Sequence, residues 1–175
     1  MAFREKDDMA QLLQKIALII IGSSVLALAG AFTAQYVFDL APCKLCIWQR
    51  WPFAIAIVLG LLAFALSKKK PAFSVAAIGV SGLTFLANAG IAIFHTGVER
   101  KWWAGLQGCS APDLSGSVDD LLERIQNSNG ARCDEIPWAD PIFGLSMANY
   151  NILYCLLLAV FCFAVVTSFT RQSRA

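Results

Sequence analysis

Four long apolar runs, separated by short polar punctuation, dominate the chain. The first, residues 16–38, carries no charged side chain, and the second is uncharged from Trp51 to Ser67 before it stops at Lys68-Lys69-Lys70-Pro71. A third occupies residues 71–95 and a fourth residues 148–170. Each is long enough to cross a hydrocarbon core of about 30 Å as a helix. Helix is the predicted state, because a backbone exposed to lipid must satisfy its own hydrogen bonds. The pattern predicts an all-α membrane protein: a four-transmembrane-helix bundle forming one integral membrane domain over residues 1–175. The helices are expected at about 16–38, 47–67, 71–95 and 148–170, and two loops, about 39–46 and 96–147, at one end. The start, MAFREKDDMAQLLQK, mixes charges of both signs and leads into a run longer than a signal-peptide core, with no small-residue cleavage site, so the first helix is expected to be retained.

Composition agrees with that pattern and closes off other classes. At 58% hydrophobic and 15% charged, with a mean hydropathy of +0.62, the chain is too apolar for an ordinary soluble domain. A net charge of +2 with scattered Lys and Arg gives no basic stripe to track a phosphate backbone, which excludes nucleic acid as a partner.

Charge placement sets the expected orientation. Arg4, Lys6 and Lys15 precede the first span, Lys68, Lys69 and Lys70 fill the turn after the second, and Arg171 and Arg174 follow the last. Lys44 and Arg50 lie on the other side, with Arg100, Lys101, Arg124 and Arg132 in a loop long enough to weaken their influence. Both termini are therefore expected in the cytoplasm and both loops in the periplasm of a bacterial inner membrane.

That placement gives the cysteines meaning. Cys43 and Cys46 fall in the first outer loop, Cys109 and Cys133 in the second, and Cys155 and Cys162 inside the fourth span. Outward-facing thiols can pair and stay paired. A bridge closing the Cys109 to Cys133 loop would stabilise by roughly 3–4 kcal/mol on the chain-entropy model, so a structural role is physically reasonable there. It is not at Cys43 and Cys46, where a bridge over two residues removes little entropy, whereas CxxC spacing beside positive charge favours thiolate exchange. A four-cysteine zinc site is disfavoured, since the second pair lacks CxxC spacing and the chain has a single histidine, so no metal is expected. Cys155 and Cys162 read as small core residues in apolar surroundings.

Arg50 follows Cys46 at i+4, which puts its guanidinium on the face of that thiol if the helix begins nearby; a snorkelling interfacial cation is the plainer alternative. Pro52 leaves two starts open: a helix beginning near Trp48, or an earlier one that bends. His95 ends the third span, followed by Glu99 at i+4 and by Trp102 and Trp103, an arrangement equally expected of an aromatic belt with a structural histidine. Arg50 and His95 nevertheless end adjacent helices on one side, where they could face one lipid-accessible pocket near Cys46. A small apolar cofactor with carbonyl oxygens would suit it. In the second loop, Ser117 is a potential N-cap for a short helix whose Val118, Leu121, Leu122 and Ile125 form an apolar stripe, suited to the membrane surface or to packing on the helix ends.

The residues CKLCIWQRWP, the segment FHTGVERKWWAG followed by Cys109, and RCDEIPWADPIFGLSMANYN leading into the last helix resemble the disulfide bond formation protein B (DsbB) family of bacterial inner-membrane quinone reductases. The resemblance covers nearly the whole chain and all four loop cysteines in order. It implies an electron relay, in which a periplasmic thioredoxin-fold oxidase of the DsbA kind gives electrons to the Cys109–Cys133 disulfide, which passes them to Cys43–Cys46 and on to ubiquinone or menaquinone. It further implies that Cys109 forms the mixed disulfide with the partner, Cys133 resolves it by attacking Cys43, Cys46 faces the quinone, and Arg50 and His95 line the quinone site. Two other classes remain: a membrane scaffold with structural disulfides, and a transporter exporting reductant through cysteines in the bilayer, which would have only Cys155 and Cys162 to use.

Overall fold

The computed structural model describes residues 2–106, 109 and 131–172. Its helices are α1 (Ala2–Tyr36), α2 (Lys44–Trp48), α3 (Arg50–Leu66), α4 (Pro71–Glu99) and α5 (Met147–Gln172). Four helical segments, Lys6–Tyr36, Lys44–Leu66, Pro71–Glu99 and Met147–Arg171, are long and apolar enough to cross a membrane, so the expected four-span, all-α architecture stands. The short helix expected after Ser117 lies outside the described residues.

The helix ends differ from the expected ones for local reasons. Helix α1 begins at Ala2 rather than near Ile16, because its polar start holds strong helix formers and neither Gly nor Pro. The inward stripe also reaches back into this segment, where Ala10 and Leu13 are buried with Ile16, Ala17 and Ile20. The second span starts at Lys44 rather than 47, and it is broken. Pro52 has no N–H for the carbonyl of Trp48, and its ring crowds that carbonyl, so α2 ends at Trp48 and α3 restarts at Arg50 with Gln49 between them. Both expected alternatives for Pro52 are thus partly right: helix starts early, and Pro52 still occupies a first turn.

Helix α4 is the spine. It packs most extensively on α5, and also on α3, while α1 packs chiefly on α3. Small residues allow the close approaches. A Cβ on Gly60 would lie 2.7 Å from the Ile21 side chain of α1, and one on Gly82 would lie 3.0 Å from Cβ of Cys162 in α5. Cys162 is fully buried there and fits the expected role of a small core residue. Ser74 of α4 donates to the carbonyl of Ala63 in α3 at 2.7 Å, and Tyr154 of α5 donates to that of Ser23 in α1 at 2.9 Å. Outward faces carry apolar side chains such as Leu26, Val58, Leu157 and Val160, the exposure a lipid environment requires.

At the cysteine end the chain is locked by two turns. Helix α4 closes with the N–H of Trp102 on the carbonyl of Gly97 and that of Lys101 on Val98, with Lys101 at φ 58°, a position glycine usually holds. The reversal lays Trp103 back on α4, stacked on Phe94 at 5.9 Å with its Nε1–H donating to the Phe94 carbonyl at 3.0 Å. Before α5, the Asp140 carboxylate accepts from the backbone N–H groups of Ile142, Phe143 and Leu145, which holds its carboxyl below the usual range, the Phe143 N–H contributing most. Ser146 then caps α5 reciprocally with Asn149, whose Nδ2 also reaches Thr96 of α4 at 3.1 Å.

Gly97 is where Trp103 needs space, for a Cβ there would sit 2.0 Å from the indole. Gly97→Ala should expel the ring and lower stability by about 1–3 kcal/mol. Gly90→Ala, in the same helix with nothing within 4 Å of the added carbon, should leave stability equal or higher. Thermal unfolding of both variants in detergent checks this, and equal melting temperatures would contradict the account of the turn.

Candidate functional site

Cys43 has extended backbone (φ −73°, ψ 169°) and caps α2, its sulfur accepting from the backbone N–H of Cys46 at 3.2 Å. The two sulfurs lie 2.7 Å apart, and all six cysteines of the chain are unbonded thiols. Cys43 is buried whereas Cys46 is half-buried. The neighbouring Cys46 sulfur, with burial and the charge of Cys133 adding to it, holds the Cys43 thiol far above the ordinary range.

The second pair sits on top of the first. Ala131 forms a parallel bridge with Cys43, and the Cys133 N–H donates to the Cys109 carbonyl at 2.8 Å. Cys43, Cys109 and Cys133 are buried in one cluster with Leu45 and Val98, and Cys46 packs against it. Burial and the neighbouring Cys133 sulfur push the Cys109 thiol up to about 12, opposed by the positive charge of Lys44. Arg132, next to Cys133, is committed elsewhere: it pairs with Asp134 through Nε at 3.0 Å and Nη2 at 2.8 Å, and with Glu135 at 2.8 Å. All four loop cysteines singled out by the sequence thus converge, across a separation in sequence that spacing alone could not bridge.

Cys46 opens on a cavity of about 860 Å³ between α1, α3 and α5, which Arg50, His95 and Glu99 also line. Its walls are mainly apolar, from Leu26 and Ala31 of α1 to Phe53 of α3 and Ile136 and Trp138 before α5. Arg50 reaches it from the first residue of α3. Its Nη1 donates to Oε1 of Gln35 at 2.7 Å, and its guanidinium lies 4.9 Å over the Phe32 ring. Among the described residues its buried Nε has no partner, a donor available to an acceptor in the cavity. His95, near the end of α4, is buried with Nε2 3.4 Å from the Cys43 sulfur and 3.7 Å from Oε1 of Glu99. Glu99 accepts through Oε2 from Ser146 at 2.6 Å, tying α4 to the start of α5. The donor atoms of Cys43, Cys46 and His95 all lie within 4.8 Å of one another, a set with the chemistry to hold a soft metal ion.

Sequence reasoning placed Arg50 and His95 on one pocket but missed the groups that hold them. Gln35 orients Arg50, and Gln49 donates through Nε2 to Nδ1 of His95 at 2.9 Å. Asn88 and Asn151 in turn hold Gln49. The signal was present: Gln35, Asn88 and Asn151 are polar residues inside apolar spans, where an amide persists only if it is paired.

A family model described as disulfide bond formation protein DsbB matches residues 14–165. The protein named disulfide bond formation protein B in Herminiimonas arsenicoxydans is 30% identical over 86% of this chain and 92% of its own, and that of Dechloromonas aromatica is 29% identical over 84% and 86%. An uncharacterised protein of Rickettsia prowazekii is 26% identical over 82% of each chain. No solved structure matches the chain.

The burial pattern orders the thiols by access. With all six cysteines unbonded, limiting maleimide should modify Cys46 first, through the cavity, because Cys43, Cys109, Cys133, Cys155 and Cys162 are buried. Mass mapping of the labelled peptides reads the order. Prior modification of Cys155 or Cys162, which do not line the cavity, would show that the cavity does not lead to Cys46.

Proposed function

The chain belongs to the disulfide bond formation protein DsbB family, and on that footing we propose that it oxidises a periplasmic thioredoxin-fold dithiol oxidase of the DsbA kind and passes the electrons to a membrane quinone. Membership makes it a membrane oxidoreductase of disulfide bond formation; the partner, the quinone and the residue roles are our reading. One observation carries that reading: two cysteine pairs share one buried cluster, and of the two only the inner pair, Cys43 buried and Cys46 half-buried, lines the apolar cavity that Arg50 also lines.

The relay follows from thiolate attack on disulfide sulfur. A thiolate of the partner attacks Cys109 of the Cys109–Cys133 disulfide; that S–S bond breaks, a partner–Cys109 bond forms, and the electron pair leaves on Cys133. Cys133 then attacks Cys43 of the Cys43–Cys46 disulfide, forming Cys43–Cys133 and releasing Cys46 as thiolate. The partner's second thiolate attacks its own first sulfur, forming the partner's disulfide and releasing Cys109 as a thiolate. Cys109 attacks Cys133, restoring Cys109–Cys133 and leaving the electron pair on Cys43. Both electrons now reside on the Cys43 and Cys46 sulfurs, and the inner disulfide must be remade.

The cavity fits a quinone headgroup. The unpartnered Nε of Arg50 suits a carbonyl oxygen, the apolar walls suit ring and tail, and ubiquinone and menaquinone both satisfy these demands. When bound, the quinone supplies a two-electron acceptor. Arg50, steadied by Gln35 and Phe32, holds the carbonyl and offers positive potential where negative charge develops, while the apolar walls exclude water. His95 lines the same cavity, and its Nε2 lies 3.4 Å from the Cys43 sulfur, which favours a role toward that sulfur.

Purified protein with a reduced thioredoxin-fold oxidase and added ubiquinone should bleach the quinone, and Cys43→Ser or Cys46→Ser should abolish the reaction. Cys109→Ser or Cys133→Ser should stop oxidation of the partner while leaving the inner pair reoxidisable by quinone. Arg50→Met should raise the KM for quinone roughly tenfold or more, with Arg50→Lys intermediate because it keeps the charge and loses the planar fork. Turnover by a variant lacking both inner cysteines would end the relay model.

We place the cysteine end in the periplasm and both termini in the cytoplasm, in keeping with Lys68 to Lys70 at the opposite end of the bundle. A membrane-impermeant thiol reagent applied to intact cells should therefore miss the cysteine of a Lys69→Cys variant, made in a background lacking the native thiols. Labelling from outside would reverse the orientation.

A further inference from the structure

Inside the bundle, a closed ring of hydrogen bonds joins Gln49, Asn88, Cys155 and Asn151, and the directions of its bonds are mutually consistent. The ring starts from a group that can only accept, the backbone carbonyl of Gln49. Nδ2 of Asn88 lies 3.2 Å from that oxygen, so the amide nitrogen of Asn88 is the end that points there. The same Nδ2 lies 3.4 Å from the Cys155 sulfur, which therefore accepts. The thiol hydrogen of Cys155 is left to donate to Oδ1 of Asn151 at 3.2 Å. Asn151 consequently turns its Nδ2 to Oε1 of Gln49. Gln49 then has only its Nε2 to present to His95, and Nε2 lies 2.9 Å from Nδ1 of that ring. An amide nitrogen can only donate, so Nδ1 accepts, and a neutral imidazole must carry its proton on Nε2. Nε2 is the atom facing the Cys43 sulfur and Glu99.

We propose that Gln49 and Cys155 are positioning residues that set the tautomer of His95, directing its Nε2–H at the sulfur of Cys43. The thiol of Cys155, an inert filler by its apolar setting, supplies the one bond in the ring that orients Asn151. Its effect on catalysis rests on the relay proposed above. When Cys109 attacks Cys133, the Cys43–Cys133 bond breaks and the Cys109–Cys133 bond forms. The electron pair left on Cys43 meets an N–H donor already in place, a charge-assisted hydrogen bond that stabilises the leaving thiolate. The same proton removes the Nε2 lone pair from the Cys43, Cys46 and His95 set, so in this tautomer the three groups serve thiol exchange rather than metal binding.

His95 is the only histidine in the chain, so the full-length protein labelled with ring-15N histidine gives one Nδ1 and one Nε2 signal. The wild type with its thiols reduced, in lipid nanodiscs, should show an unprotonated Nδ1 and a protonated Nε2. In Gln49→Glu the carboxylate accepts from Nδ1–H, and the two signals should exchange character. Cys155→Ser, whose hydroxyl both accepts and donates, should keep the wild-type pattern; Cys155→Ala should give a mixture of tautomers. Oxidation of the partner by Gln49→Glu should fall about 100-fold or more, the scale of a misplaced catalytic proton. A wild type protonated on Nδ1, or ring signals unaltered in Gln49→Glu, overturns the proposal, and a single pure tautomer in Cys155→Ala removes Cys155 from it. The ring signals are read without turnover. If they behave as expected and no dithiol is oxidised, the proposed function fails and the tautomer assignment stands.

Discussion

Pro52 governs the geometry of the cysteine end. Its missing N–H and the crowding of its ring against Trp48 make a continuous helix from Lys44 to Leu66 unfavourable, by about 3 kcal/mol or more if forced. The chain answers by restarting at Arg50. Three consequences follow from that one interruption. A short helix is left whose first turn Cys43 caps, Arg50 becomes the first residue of a new helix with its guanidinium turned to the cavity, and Gln49 sits between them with its carbonyl met by Asn88. The CxxC pair, the cation and the amide that holds the histidine are all placed by one residue with none of their chemistry.

The lipid setting decides how the rest is arranged. An amide or hydroxyl in the hydrocarbon region has no water to fall back on, so most buried polar side chains in the spans occur in connected sets, although among the described residues Ser24 Oγ and Asn88 Oδ1 have no partner. Gln35 with Arg50 is one such set, and the ring through Gln49, Asn88, Cys155 and Asn151 is another. Glu99, Ser146, Asn149 and Thr96 form a third, which joins the end of α4 to the start of α5 and so frames the mouth of the cavity. Stability and site geometry are served by the same bonds.

Much of this was legible in the sequence, and what was not has a common cause. The four spans follow from apolar runs, whose length is a local property; the Cys43–Cys46 pair follows from its spacing, and the Cys109–Cys133 pair from its place in the second outer loop and the family resemblance. The break at Gln49 was half legible, since Pro52 announced a disturbance without saying on which side of it the helix would yield. Gln49 itself was invisible: it lies among interfacial residues where a polar side chain is unremarkable, and its role exists only through Asn88, Cys155 and Asn151, distant in sequence. Cys155 shows the limit most clearly, because apolar surroundings correctly imply an unreactive thiol yet say nothing about which neighbour its hydrogen orients. The return of Trp103 onto Phe94 was likewise hidden, although Gly97 in the motif marked where the backbone had to be left bare.

The pairing of Ala131 with Cys43, together with the bond from the Cys133 N–H to the Cys109 carbonyl, has a kinetic meaning. Two thiol pairs joined only by a flexible tether would meet at an effective concentration of about millimolar, falling as the tether lengthened. Here Ala131, two residues before Cys133, is bridged to Cys43 in the first loop, and the Cys133 N–H is held on the Cys109 carbonyl. The encounter of the two pairs is thereby separated from the length of chain between residues 109 and 131. The local molarity of one sulfur at another is thus a property of the fold.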